Sequence, residues 1–275
     1  MSKQAFPKFP PSFLLLQQEG YLISSCLGIG LTELRKADVH NKGAFYTALF
    51  NLSIGIERLL KAIVIIDHML NNSLSIPTKN ELKSYGHNIV ELYDACFKIG
   101  NSRQCLIPSR THLDETDQRL LLLISNFACT TRYHNLDALN ASQRGPDPLV
   151  HWNEIISTNL YNDIPTKQKE KILTQANMVT NAINDVTTTL MHGLDQSPLT
   201  TTEALVLPGG LHDQAVRFAV LHIVRLLSPI RYLLGTVSNN AYGLGTNVPP
   251  VPQMQEFLNW LSDDREYVLR KKKWP

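Results

Sequence analysis

Cysteine, glycine and proline are all used sparingly in this chain, with 4, 14 and 15 residues among 275. Cys26, Cys96, Cys105 and Cys129 stand far apart, with no C-x-x-C pair and no Cys/His grouping at zinc spacing. That argues against a structural zinc site and against a disulfide-stapled secreted scaffold, and fits a reducing, cytoplasmic setting. Low glycine and proline, with 43% hydrophobic and 18% charged residues, exclude collagen-like, low-complexity and disordered classes. Net charge is also scarce. The 26 basic and 24 acidic side chains leave +2, so any nucleic-acid contact has to come from a local patch rather than a global field. The apolar stretch 13–16 is too short for a leader core. Residues 49–70 carry Glu57, Arg58, Lys61, Asp67 and His68, too many polar groups for lipid, and no membrane span is expected. Phosphate-loop, H-E-x-x-H and G-x-S-x-G signatures are missing, as is the paired acidic motif of metal nucleases, and no motif asks for a cofactor or a metal ion.

What is present is helical periodicity. Phe45, Leu49, Leu52, Ile56, Leu59, Ile63, Ile66 and Leu70 recur at spacings of four and three, which predicts one long helix with a core-facing stripe, widened by Phe50, Leu60 and Val64. A second series, Ile172, Ala176, Val179, Ile183, Val186 and Leu190, follows Pro165 and stops before Gly193, and predicts a second long core helix. Shorter helices are expected over 82–99, 114–139, 211–234 with a bend at Pro229, and 253–261. A weaker one over 20–37 is penalised by Gly28 and Gly30. No run of alternating β-branched residues suggests a sheet. The expected fold is all-α: an antiparallel helical bundle over 14–140, with C-terminal helices over 150–275 packing on the same bundle as one compact unit.

Polar residues at odds with this greasy background mark candidate sites. Lys83 and His87, four apart, would share a helical face and offer two donors to an anion; a cap-like hydrogen bond from the imidazole is the plainer reading. Arg132, Tyr133, His134, Asn135 and Asp137 cluster near the end of an apolar helix, where Arg132 could bind a ligand or tie helices together through carbonyls or Glu57. Arg217 and His222 match an Arg-x4-His pattern, and Arg144 to His151 is a looser match interrupted by Pro146 and Pro148. Such a pair can serve a metal-independent ribonuclease, with histidine as acid/base and arginine stabilising the charged phosphorane. The basic tip Arg270 to Lys273 with Trp274 could stack on a base, although a solvated helix end explains it as well.

Three segments together resemble the HEPN superfamily: residues 45–70 with Gly55-Ile56-Glu57-Arg58-Leu59-Leu60-Lys61, residues 83–93 with Gly86-His87-Asn88 and Leu92-Tyr93, and Thr131-Arg132-Tyr133. The likeness covers roughly residues 20 to 140. It implies an antiparallel bundle, a homodimer and, in catalytic members, a ribonuclease site with Arg and His from each protomer; some members are linked to toxin or antiphage systems. After Arg132 there is no histidine at the catalytic spacing. The expectation is therefore a protein that binds RNA or a nucleotide through Lys83, His87, Arg132, Tyr133, His134 and Asp137. The alternatives are an active endoribonuclease using Arg217 and His222, and a non-catalytic interaction module.

Overall fold

The computed structural model describes residues 8–142, 144–183, 188–206, 210–245 and 247–275. The chain is all-α: 71% helical, with no strand among the described residues beyond an isolated bridge between His192 and Pro198. Helices α1 (Pro11–Leu34) and α2 (Lys42–Asn71) form a long hairpin. α3 (Lys79–Ser84), α4 (Ile89–Ser102), α5 (Glu115–Cys129), α6 (His134–Leu139), α7 (Pro148–Ile155), α8 (Tyr161–Asp163), α9 (Thr166–Ile183), α10 (Thr201–Val206), α11 (His212–Tyr242) and α12 (Arg265–Arg270) follow.

The α2 stripe is core as its spacing demands: Phe45, Leu49, Leu52, Ile56, Leu59, Ile63 and Ile66 are buried, and α2 packs on α1, α4, α5 and α11. Helix α1 starts earlier than its periodicity indicates, because Pro11 suits a first helical position. Its glycines serve packing. A Cβ on Gly30 would stand 3.0 Å from the Leu52 backbone nitrogen, and one on Gly55 would stand 3.1 Å from that of Leu27. Each helix thus uses a glycine to let the other's backbone come close. The paired positions run in opposite directions along the two helices, as in an antiparallel hairpin.

Several expectations need correcting. The second long core helix is α11, which buries Ala215, Val216, Ala219, Val220, Ile223, Val224, Leu227, Ile230 and Leu234 and continues through Pro229 to Tyr242. It is long and apolar enough to cross a membrane by length and composition, more so than residues 49–70, but 72% of that window is buried within the protein. Helix α9 buries only Ala176 and Thr180 and leaves Leu173, Met178 and Val179 exposed. Of the expected stripe, Ala176 is buried and Ile172 half-buried, while Val179 is exposed, because the short α10 is the main element covering that face. Val186 lies outside the described residues, and Leu190 is 88% exposed beyond the helix.

The helix expected over 82–99 breaks at Gly86, whose φ of +53° is unfavourable for other residues, and restarts with Asn88 as cap. The one expected over 114–139 ends at Cys129, and a 3-10 turn, Thr131–Tyr133, leads into α6. The stretch 253–261 contains a 3-10 turn, Met254–Leu258. Trp274 is not a surface stacking platform. It is 4% exposed, and its backbone N–H donates to Thr32 Oγ1 at 2.9 Å. A single buried cluster draws on residues from Leu16 to Trp274.

One buried group is out of keeping with this core. His212, the first residue of α11, is 1% exposed, its Nδ1 has no hydrogen-bond partner, and its ring meets Tyr161 edge-on. Burial drives its pKa down to about 4, against the opposing pull of Asp38. Its stabilising neutral form is fully present above the unfolded value near 6.5 and is lost as pH falls toward 4, since the unfolded chain takes the proton first.

Two outcomes are expected. Gly55→Val lowers stability by about 2 kcal/mol through overpacking, whereas Gly43→Ala, where no atom lies within 4 Å of the new Cβ, raises it by roughly 0.5 kcal/mol; urea unfolding midpoints distinguish them. His212→Leu flattens the fall of stability between pH 6.5 and 4, worth up to about 3 kcal/mol in the parent, as followed by urea titrations across that range.

Candidate functional site

A cleft of about 420 Å³ opens between α1, α2, the turn before α4 and the turn after α5, with Glu19, Glu57, Arg58, Lys61, His87 and Arg132 as its charged and titratable lining. The polar edge of α2 supplies three of these. Glu57 and Lys61, one turn apart, pair at 2.8 Å, as i,i+4 geometry favours, and Arg58 pairs with Glu19 of α1 at 2.8 Å. The positive φ of Gly86 turns the chain so that its carbonyl accepts from Lys61 Nζ at 2.7 Å and His87 Nδ1 meets Glu57 at 3.0 Å. Burial alone would raise the Glu57 carboxyl, but hydrogen bonds from Lys61 and His87 outweigh it and hold the group below the usual carboxylate range.

Arg132 enters from the turn that ends α5. Its guanidinium lies over the Phe50 ring, 5.0 Å from the centroid. Its Nε is buried without a hydrogen-bond partner, and it forms no ion pair among the described residues. It therefore does not tie helices together through Glu57. Once the Arg58–Glu19 and Lys61–Glu57 pairs cancel, Arg132 is the cation of the cleft left without a counter-charge. Outside the cleft lining, the Cys129 thiol is pushed up by burial first, then by Glu57 and Glu91, against a Ser125 hydrogen bond and the Arg132 charge. A wider groove of about 580 Å³ between α2 and α4 is lined by Asp67, Glu91 and Asp94 with Lys98 and His68, a balance that repels anions.

Of the six expected binding residues, the fold brings His87 and Arg132 into one cleft. Lys83 does not share a helical face with His87: it sits exposed on α3, and the break at Gly86 separates the two. His87 is not a cap either, since Asn88 fills that role. Tyr133 is exposed and outside the cleft lining. His134 opens α6 with Nδ1 buried and unpartnered. Asp137 lies half-buried on α6, and its backbone carbonyl accepts from the Asn140 and Ser142 N–H groups. Glu19, Glu57, Arg58 and Lys61 were not singled out as site residues. The available signal was an ion-paired patch halfway along an otherwise apolar helix.

Arg217 and His222, although close in sequence, turn to different neighbours. Arg217 Nε donates to the Leu269 carbonyl at 2.9 Å. His222 Nδ1 meets Asp117 at 2.8 Å and its Nε2 meets Asp163 at 3.4 Å. Burial would lower the His222 pKa, but the Asp117 hydrogen bond and the charges of Asp117, Asp114 and Asp163 raise it. Arg144 is exposed in a loop and His151 is half-buried on α7. Comparison with family models, with curated proteins and with solved structures finds no match to this chain.

If Glu57 is what holds Lys61 and His87 in place, Glu57→Gln lowers stability by about 1–2 kcal/mol, because a half-buried ammonium loses its ionic partner. The loss shrinks as pH falls below the ordinary glutamate value of 4.5, since the ionised parent carboxyl, held lower than that, progressively loses its stabilising contribution. Urea unfolding at pH 7 and pH 4 measures both.

Proposed function

We propose that the cleft binds a phosphate-bearing ligand, a nucleotide or a segment of RNA, with Arg132 as its anchor. The observation that carries this reading is the uncompensated guanidinium: half-buried, stacked on Phe50 and with an N–H left unpartnered. The buried Nε–H lacks an acceptor that an anion can supply, and the planar guanidinium fork suits phosphate oxygens. Lys61 and His87 supply further donors beside it. The likeness of the Gly86-His87-Asn88 and Thr131-Arg132-Tyr133 segments to HEPN proteins supports the same choice of ligand and carries with it a homodimer. Leu15, Leu22 and Ile29, exposed at seven-residue spacing along α1, support that dimer.

A second reading, metal-independent cleavage of RNA, is favoured by the His87–Glu57 pair. With Nδ1 held by the carboxylate at 3.0 Å, the imidazole has Nε2 left for proton transfer. It would take the proton of the 2′-OH as the P–O2′ bond forms and return it to the leaving 5′-oxygen as the P–O5′ bond breaks, while Arg132 would stabilise the charge on phosphorus.

Thermal-shift and calorimetric titrations with ATP, a short RNA and inorganic phosphate test the binding. Arg132→Ala is expected to weaken it by roughly ten- to a hundred-fold, about 1.5–3 kcal/mol for a charge-assisted contact. Arg58→Ala, which breaks a partly exposed pair, should change it much less. Equal affinity in parent and Arg132→Ala removes the reading. Incubating RNA with the parent and His87→Ala in EDTA decides between binding and cleavage.

A further inference from the structure

Away from the cleft, three carboxylates converge on one imidazole where the start of α5 meets the middle of α11. Asp114 caps α5, its Oδ1 accepting the Asp117 N–H at 2.7 Å, and its Oδ2 stands 3.6 Å from His222 Nδ1. Asp117, one turn on, places Oδ1 2.8 Å from the same nitrogen. On the far side of the ring, at the end of α8, Asp163 Oδ2 lies 3.4 Å from Nε2. The donor atoms of Asp114, Asp117 and His222 all lie within 4.8 Å of one another.

The balance of charge leaves this group incomplete. Even a doubly protonated ring offsets one of three negative charges, and no lysine or arginine among the described residues pairs with any of the three. His222 and Asp117 are largely buried, with side chains 12% and 15% exposed, so water screens the excess poorly. If Asp163 takes the Nε2 proton, the Nδ1 lone pair points at a carboxylate oxygen 2.8 Å away. Either a second ring proton or a metal ion has to lie between them, and only a divalent ion also offsets the remaining negative charge.

A transition ion with bonds of roughly 2.0–2.2 Å to imidazole and carboxylate sets neighbouring donors roughly 2.8–3.6 Å apart. That is the spacing at which His222 Nδ1 stands from Asp117 and Asp114. Asp163 then plays the part that a carboxylate commonly plays behind a metal-bound histidine, fixing the tautomer and the ring's direction. One nitrogen and two oxygen donors, with Asp114 half open to water, suit zinc or manganese rather than magnesium or calcium, which seek all-oxygen shells.

We infer that Asp114, Asp117 and His222 bind a first-row divalent ion of the zinc or manganese class, with Asp163 as a positioning residue behind the imidazole. The inference is independent of the phosphate reading of the cleft.

The test is calorimetric titration of the full chain, first stripped with EDTA, with Zn²⁺, Mn²⁺ and Mg²⁺, alongside melting curves. The expected result is one ion per chain, a higher Tm with Zn²⁺ or Mn²⁺ than with Mg²⁺, and affinity lowered at least ten-fold in His222→Gln and Asp114→Asn. Asp163→Asn should lower it roughly ten-fold, while Cys129→Ser leaves it unchanged. Asp114 is exposed enough for its variant to fold if the buried substitutions do not. Undiminished binding in Asp114→Asn, or no Tm response to Zn²⁺ or Mn²⁺ in the parent, overturns the inference and leaves an imidazolium held among carboxylates.

Discussion

The backbone-to-backbone approach of α1 and α2 at Gly30 and Gly55 sets the position of everything else. Helix α2 is flanked by α1, α4, α5 and α11, and a helix with so many neighbours has little polar surface left to it. With larger residues at the two glycines, the hairpin would open by the width of a side chain. Glu19 would then move away from Arg58, and the cleft between the two helices would lose one wall. Glycine weakens an isolated helix by up to about 1 kcal/mol; here that cost is set against close contact along the whole hairpin.

The polar edge that α2 retains is consequently concentrated. Glu57, Arg58 and Lys61 fall within one turn and a little more, and each is partnered: with Glu19 from α1, with His87 and the Gly86 carbonyl from the turn before α4. This makes the α3–α4 turn part of the site without any helical face shared between Lys83 and His87. Arg132 reaches the same place from another direction and finds its neighbours' charges already neutralised. Its lack of a counter-ion follows from the pairing of the others.

How much of this could be read from the sequence varies with the kind of force involved. The α2 stripe was legible because seven buried positions repeat at the helical period, and a core helix has no other way to bury them. The same periodicity misled at α9: a stripe states which residues share a face, not how much of that face another element covers, and here the short α10 buries Ala176 but leaves Val179 exposed. The helix expected over 211–234 runs on to Tyr242 with Pro229 inside it, since a helix buried in the core can absorb one lost hydrogen bond. The break at Gly86 was hidden because glycine is tolerated in helices and strongly suited only to positive φ, which no single sequence discloses. His87 and Arg132 were found as residues out of place. Glu57 enters the sequence reading as a possible partner for Arg132, whereas its actual partners are Lys61 one turn on and His87, 30 residues away in the turn before α4.

Helix α5 links the two polar regions and separates them. Acidic residues gather at its N-terminus, where Asp114 and Asp117 suit the positive end of the dipole, and Arg132 follows its C-terminus, where a cation is favoured. Fifteen residues at 1.5 Å each put the ends roughly 22 Å apart, more than two Debye lengths at physiological salt. Charge at one end is therefore screened from charge at the other across solvent, and the low-dielectric core adds only a weak path. What can pass between them is mechanical: the capping geometry of Asp114 and the packing of Leu120, Leu121, Ile124 and Phe127 against the core set the axis of α5. That axis determines where the Thr131–Tyr133 turn delivers Arg132 over Phe50.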